Sequence, residues 1–203
     1  MWAGVGTGTN TDPLYQAGVR LECTDGTSSS HVWWEAYTPS GGAGAAEQDY
    51  SGRTVSAGDK IVVQVAPYSG SSTNVNLAVY DYGPTLSNGS FNWIASHNIV
   101  LDTPAAPSTV ECIVERPSTS SGFTDLIDFG TVDFSTASSG SPNQACNATA
   151  NGIDHAIASN TYTYNHGVTG TAIDMQNSAA TTLASTSAPS TTGYFDVTWH
   201  AGS

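Results

Sequence analysis

The chain has 203 residues, 38% of them hydrophobic, and sets 17 Asp+Glu against 4 Lys+Arg for a formal net charge of -13. Four bases cannot build a phosphate-binding surface, which argues against nucleic acid and anionic membrane as partners, and no apolar run nears the ~20 residues of a membrane helix. Acidity alone often marks disorder, but the 5 Trp, 9 Tyr and 5 Phe are enough for a packed core.

Short runs of β-branched and aromatic residues alternate with polar ones and are separated by Gly, Asn, Ser and Pro, the pattern of an all-β chain. Strands are predicted in order at Trp2-Val5, Leu14-Cys23, His31-Tyr37, Lys60-Ala66, Asn74-Tyr80, Phe91-Ser96, Val110-Arg116, Leu126-Phe134 and Tyr194-Trp199. Asp25-Gly26, Ser69-Gly70 and Asn88-Gly89 read as turns, because glycine accepts the positive φ of tight hairpins. Gly41 to Ala46 reads as a flexible loop, and Ser135 to Pro189 as looser strands and loops. Strands this closely spaced predict one domain over residues 1–203, an antiparallel sandwich or barrel.

Alternation along a strand puts Gln16, Gly18, Arg20 and Glu22 on one face, against Ala17, Val19, Leu21 and Cys23 on the other. In the next strand His31, Trp33, Glu35 and Tyr37 oppose Val32, Trp34 and Ala36. In Val110-Arg116, Glu111, Ile113 and Glu115 oppose Val110, Cys112 and Val114. Each strand has one apolar face and one bearing acids, amides or aromatics. Placed in a common sheet, the three make a polar face lined by Gln16, Glu35 and Glu115, with room beside Gln16 at Gly18. Aromatic rings flanking an acid suit peptide or sugar.

Cys23 and Cys112 fall on the apolar side and read as buried thiols; a disulfide between them is open if their strands are neighbours. Cys146 lies in a loop. The histidines are scattered and no Cys-x-x-Cys occurs, so neither a metal nor a cofactor is expected. Asn88 and Asn147 begin Asn-x-Ser/Thr triplets, which are weak signals in a chain so rich in Asn, Ser and Thr.

The run of motifs Trp2-Ala3-Gly4-Val5-Gly6, Leu14-Tyr15-Gln16-Ala17-Gly18-Val19, Trp33-Trp34-Glu35-Ala36-Tyr37, Gly58-Asp59-Lys60-Ile61, Val110-Glu111-Cys112-Ile113-Val114-Glu115, Asp128-Phe129-Gly130-Thr131-Val132-Asp133-Phe134 and Phe195-Asp196-Val197-Thr198-Trp199 resembles the glutamic peptidases, or eqolisins, of bacterial or fungal type. The order and spacing fit over nearly the whole chain. The resemblance implies a concanavalin-like (lectin/glucanase-type) antiparallel β-sandwich of two sheets and a secreted, monomeric acid endopeptidase acting on polypeptide. Carried over by position, the catalytic pair falls on Gln16 and Glu115, with Glu111 supporting and Trp2, Trp33, Glu35 and Tyr37 lining the substrate cleft. In that mechanism Glu115 activates a water and Gln16 stabilises the oxyanion.

The chain departs from the family at Gly6 and His31, where acids are usual, at Ala36, where an aromatic is usual, and at Arg116-Pro117. The family also has about two strands before the Trp2 motif, so the sequence is expected to be incomplete at its N-terminus. The residues alone leave open two other functions. One is a glycoside hydrolase using Glu35 and Glu115, which gives Gln16 no role; the other is a non-catalytic lectin-like binding module.

Overall fold

The computed structural model describes residues 1–6, 13–37, 45–67, 74–84, 91–100, 109–119, 122–134, 147–150, 153–156, 172–188 and 194–202. All regular structure among them is β, as expected. The chain divides into two compact units, Met1–Ile113 and Val114–Ser203.

The first unit contains β1 (Trp2–Gly6), β2 (Leu14–Thr24), β3 (Thr27–Tyr37), β4 (Ala45–Asp49), β5 (Ile61–Pro67), β6 (Asn74–Asp81), β7 (Trp93–Val100) and β8 (Thr109–Ile113). One antiparallel sheet runs β4-β3-β2-β1-β8 and the other β5-β6-β7. The β2–β3 hairpin turns at Asp25 and Gly26, whose φ values of 50° and 78° are the paired left-handed residues of a tight two-residue turn. The Ser69-Gly70 and Asn88-Gly89 turns lie outside the described residues.

The predicted alternation builds the core between these sheets. Tyr15, Ala17 and Val19 from β2 and Val32 and Ala36 from β3 bury against Val75, Leu77 and Val79 of β6 and Ile99 of β7. Val19, Val32 and Leu77 are essentially sealed from water, and each such side chain contributes ~1.5–3 kcal/mol of hydrophobic stabilisation. Trp34, on the same face, stacks on His97 of β7 with ring centroids 3.9 Å apart. The Tyr50 hydroxyl donates to the Leu77 carbonyl at 2.8 Å, and burial raises its pKa.

The second unit contains β9 (Ser118–Thr119), β10 (Gly122–Phe123), β11 (Thr131–Phe134), β12 (Asn147–Ala150), β13 (Ile153–Ala156), β14 (Met175–Gln176), β15 (Thr182–Thr186) and β16 (Phe195–Trp199). An antiparallel sheet β11-β16-β15-β14 carries a core of Leu126, Leu183, Ala184 and Val197, and β9–β10 and β12–β13 form separate pairs. Phe134 and Phe195 stack at 4.5 Å.

Four expectations are corrected. The strand predicted over Val110-Arg116 stops at Ile113, because Val114 packs into the second unit's core and Pro117 has no N–H to give a ladder. The strand predicted from Leu126 begins only at Thr131: the Asp128 carboxylate accepts the Gly130 N–H at 2.9 Å, and Gly130 turns at φ 65°. Ala45 and Ala46, read as the end of a loop, begin β4; residues 41–44 lie outside the described residues. Cys23 is exposed and free while Cys112 is disulfide-bonded, so neither is a buried thiol and the two are not paired. Their strands are both neighbours of β1, not of each other, and Cys23 sits where the β2–β3 hairpin overhangs the core. Cys146 lies outside the described residues.

Candidate active site

The face of the β4-β3-β2-β1-β8 sheet turned away from the core carries the polar residues. Register fixes which of them share a row. Gln16 of β2 pairs with Glu35 of β3 on one side and with Gly4 of β1 on the other, and Gly4 pairs in turn with Glu111 of β8. Directly opposed residues project to the same face, so Glu35, Gln16, Gly4 and Glu111 form one line across four strands. Neighbouring strands stand ~4.8 Å apart, which puts the Cα atoms of Gln16 and Glu111 about 10 Å from each other across Gly4.

The adjacent row is Trp33, Gly18, Trp2 and Ile113. Glycine at 18 is required here by space: a Cβ would stand 2.2 Å from the Met1 carbonyl oxygen and 2.7 Å from Trp2 Cβ. Trp2 leans along the face until its ring edge lies over Gly4, where Cζ3 comes within 2.9 Å of the place a Cβ would take. The indole edge therefore floors the interval between Gln16 and Glu111. Trp2 and Trp33 are buried at 7% and 6% exposure, whereas Tyr37, at the end of β3 with the same parity, is 47% exposed.

Gln16 is buried, at 8% exposure. Its Nε2 donates to Glu35 Oε2 at 2.5 Å, while its Oε1 accepts no hydrogen bond from any described residue. A buried amide oxygen without a donor is costly, and such atoms mark places where a water or ligand group is accommodated. Glu111 is half-buried and its Oε1 accepts from the Thr109 hydroxyl at 3.3 Å.

Farther along the same face, Arg20 pairs with Glu22 at 2.6 Å, with Asp49 at 3.5 Å and with Glu47, and His31 lies 3.1 Å from Asp49 and 3.5 Å from Glu22. Glu47 and Asp49 belong to β4, whose described side chains Ala46 to Asp49 are all exposed, so the backbone ladder to β3 rather than burial holds that strand, with these solvated ion pairs beside it. Arg20 was not singled out by the sequence, because its partners on β4 are remote in the chain. Among the described residues, no three His, Cys, Asp or Glu side chains are grouped to hold a metal ion.

The structure thus assembles Gln16, Glu35, Trp2, Trp33 and Glu111 on one face, with Tyr37 at its border. Glu115 follows β8 as an exposed residue of the second unit, so the strand parity that would have set it beside Glu111 no longer applies.

No curated protein sequence matches the chain. The profile of the Peptidase A4 family, however, matches residues 1–194. The chain belongs to the Peptidase A4 family. Among solved structures, the crystal structure of aspergilloglutamic peptidase from Aspergillus niger matches with a TM-score of 0.69 and 22% identity, covering 98% of this chain and 96% of that one. That likeness is one of fold, a β-sandwich. Membership of the A4 family makes the protein a glutamic peptidase, a peptide-bond hydrolase, and displaces the glycosidase and lectin readings.

Proposed function

We propose that this A4 peptidase is a secreted, acid-acting endopeptidase in which Gln16 and Glu111 perform the chemistry on an extended polypeptide. The observation that carries the choice is the register through Gly4, which sets both residues in one row beside the Trp2 ring. Resemblance alone put the base at Glu115 and gave Glu111 a supporting place; the row favours the reverse assignment.

Glu111, ionised, takes a proton from a water as the water oxygen attacks the scissile carbonyl carbon. The carbonyl becomes an oxyanion, and a Gln16 N–H donates to it. Glu111 then returns the proton to the amine nitrogen as the C–N bond breaks, leaving a carboxylic acid and a free amine. A glutamine stabilises charge without titrating, so a carboxylate base sets the chemistry, and carboxylates work in acid. Tyr37, 47% exposed, offers aromatic surface for substrate side chains, while the buried Trp2 and Trp33 support the row from beneath. The proposed pair lies within one compact unit, so one chain suffices, and a net charge of -13 with 4 Lys+Arg suits an acidic external medium.

The test is cleavage of a denatured protein at about pH 3–4, the range in which a carboxylate base begins to ionise, with an aspartic-protease inhibitor present. Glu111→Gln is expected to lose ~10²–10⁴-fold in kcat, the worth of a general base. Gln16→Ala is expected to lose ~10²–10³-fold, the worth of an oxyanion donor. Glu115→Gln should stay within about 3-fold of the parent, as expected for an exposed residue outside the row. The opposite ranking of the two glutamates would return the base to Glu115, and unchanged cleavage by Gln16→Ala would remove the pair altogether.

A further inference from the structure

We infer that Thr109 is a positioning residue for the base: its hydroxyl holds Glu111 Oε1, so that Oε2 is the oxygen that meets the attacking water. This rests on the reading of Glu111 as the general base.

The neighbours of Glu111 on its face follow from parity and register. Across the ladder it meets Gly4, while Gly6 and Trp2 stand diagonally, opposite Thr109 and Ile113. Along β8, Thr109 and Ile113 lie two residues away on the same side, ~7 Å off. Two of these five neighbours are glycines and one is an isoleucine, and none of those three has a side-chain donor. Trp2 turns Cζ3, an edge carbon of its indole, over Gly4. Thr109 is the neighbour that reaches the carboxylate, its Oγ1 donating to Oε1 at 3.3 Å.

The strand sets the direction of that hydroxyl, because a β-branched threonine is stiff at χ1. Gly6, opposite it, leaves it room. A Cβ at position 6 would already stand 3.5 Å from Thr109 Oγ1 and 3.2 Å from Leu14 Cδ1, so a longer side chain would crowd the hydroxyl.

A free carboxylate presents either of two equal oxygens. Here they are unlike: Oε1 is taken, and Oε2 accepts no hydrogen bond from a described residue. Oε2 therefore has its lone pairs available for the proton of the water and carries that proton until the amine nitrogen takes it. Thr109 keeps its own proton throughout.

A donor to the ionised form also favours that form. Among the described residues Glu111 has no ion pair to do the same. β1 carries no titratable side chain, and the Met1 amino group is bonded to the Val19 carbonyl at 2.9 Å. On β8 the other titratable type is Cys112, which has the opposite parity and is disulfide-bonded. On β2, Arg20 lies two rows from Gln16 and is engaged by Glu22, Glu47 and Asp49. On β3, Glu35 stands beyond Gln16 in the same row. β5, packed against β1, has no titratable side chain.

The experiment compares pH-rate profiles of the parent, Thr109→Val, Thr109→Ser and Glu111→Gln on one synthetic peptide. Valine keeps the β-branched shape and removes the hydroxyl. Thr109→Val is expected to lose about 10-fold in kcat with KM within about 2-fold, the size of one hydrogen bond to a charged group. The acid limb of kcat/KM should move to higher pH by about half a unit or more, since the ionised base has lost its donor. Thr109→Ser should return both the rate, to within about 3-fold, and the limb. Because Thr109 acts through Glu111, adding Thr109→Val to Glu111→Gln should cost less than about 2-fold more. An acid limb that Thr109→Val leaves in place overturns the inference. So does a double variant in which the two losses multiply, as they would if Thr109 only held the strand. Glu111→Gln with parental activity would instead sink the reading of Glu111 as base, whereas an inactive Glu111→Gln beside an unmoved limb in Thr109→Val sinks only the role given to Thr109.

Discussion

Gly18→Ala is the sharpest probe of how β1 is seated. The new Cβ would lie 2.2 Å from the Met1 carbonyl oxygen, 2.7 Å from Trp2 Cβ and 2.8 Å from Trp2 Cα. Ordinary carbon contacts lie near ~3.5–4.0 Å, and two of these three atoms are backbone, so β1 itself must move by about 1 Å. That shift strains the reciprocal pair in which the Val19 N–H donates to the Met1 carbonyl and the Met1 amino group donates to the Val19 carbonyl, both at 2.9 Å. Overpacking costs ~1–3 kcal/mol and each hydrogen bond nets ~1 kcal/mol, so the expected loss is ~2–4 kcal/mol. Urea unfolding followed by tryptophan fluorescence reads it as a lower midpoint at unchanged slope. Because β1 also carries Trp2 over the Gln16–Glu111 interval, kcat/KM should fall even where the variant is fully folded. Gly4→Ala is the contrast: its Cβ meets the far end of the Trp2 ring at 2.9 Å, a side chain that can swing away, so activity should suffer more than stability. A Gly18→Ala protein with the parental midpoint would refute the register that places Trp2 and Gln16 together.

Three further outcomes follow from other contacts. Burial raises the pKa of Tyr50 from 10.0, as it does for Tyr15 and Tyr82, so the unfolded chain gives up protons that the folded one keeps; stability is full below 10.0 and falls above it, by ~1.4 kcal/mol per pH unit for one such tyrosine. Urea midpoints at about pH 9 and about pH 11 check the sign, and Tyr50→Phe should flatten the dependence. Arg20→Gln should cost less than about 1 kcal/mol, because the carboxylates it meets are 37–45% exposed, and the loss should shrink in high salt; a loss above ~2 kcal/mol would contradict a solvated cluster. Cys23 should react with a thiol reagent in the native protein and Cys112 only after reduction, as peptide mapping of the labelled sites would report.

The sandwich was legible because its strands alternate between unlike faces. Tyr15, Ala17 and Val19 against Gln16, Gly18 and Arg20 leave one choice of which side is inward, and the core obeys it. The same rule misleads where a strand outruns its core. Cys23 has the parity of Val19 but sits where no second sheet covers the hairpin, so it is exposed. β4 was invisible because Ala45-Ala46-Glu47-Gln48-Asp49 has no apolar face; it pairs through the backbone of β3, and the Arg20 and His31 that meet its acids are remote in sequence. The strand expected over Val110-Arg116 overran at a single valine. Alternation holds through Ile113, but nothing local tells that Val114 packs into a second core and ends the strand there. Register across β1 was likewise closed to sequence, since a slip of β8 by two residues would keep the same parity and set Thr109 or Ile113 opposite Gly4, and a slip of four would set Glu115 there.

That register has a consequence for how acid chemistry is arranged. Where two carboxyls share one proton, as in aspartic proteases, they stand ~3 Å apart and titrate as a unit. In this row Gln16 and Gly4 come between Glu35 and Glu111, whose Cα atoms are three strand spacings apart, ~14 Å. Each carboxylate has a polar neighbour of its own, Gln16 for Glu35 and Thr109 for Glu111. Removing the proton-binding group at one end therefore leaves the other end's hydrogen bond in place. A substitution at Glu35 should therefore leave the Thr109–Glu111 hydrogen bond as it is, which a pair sharing one proton would not allow.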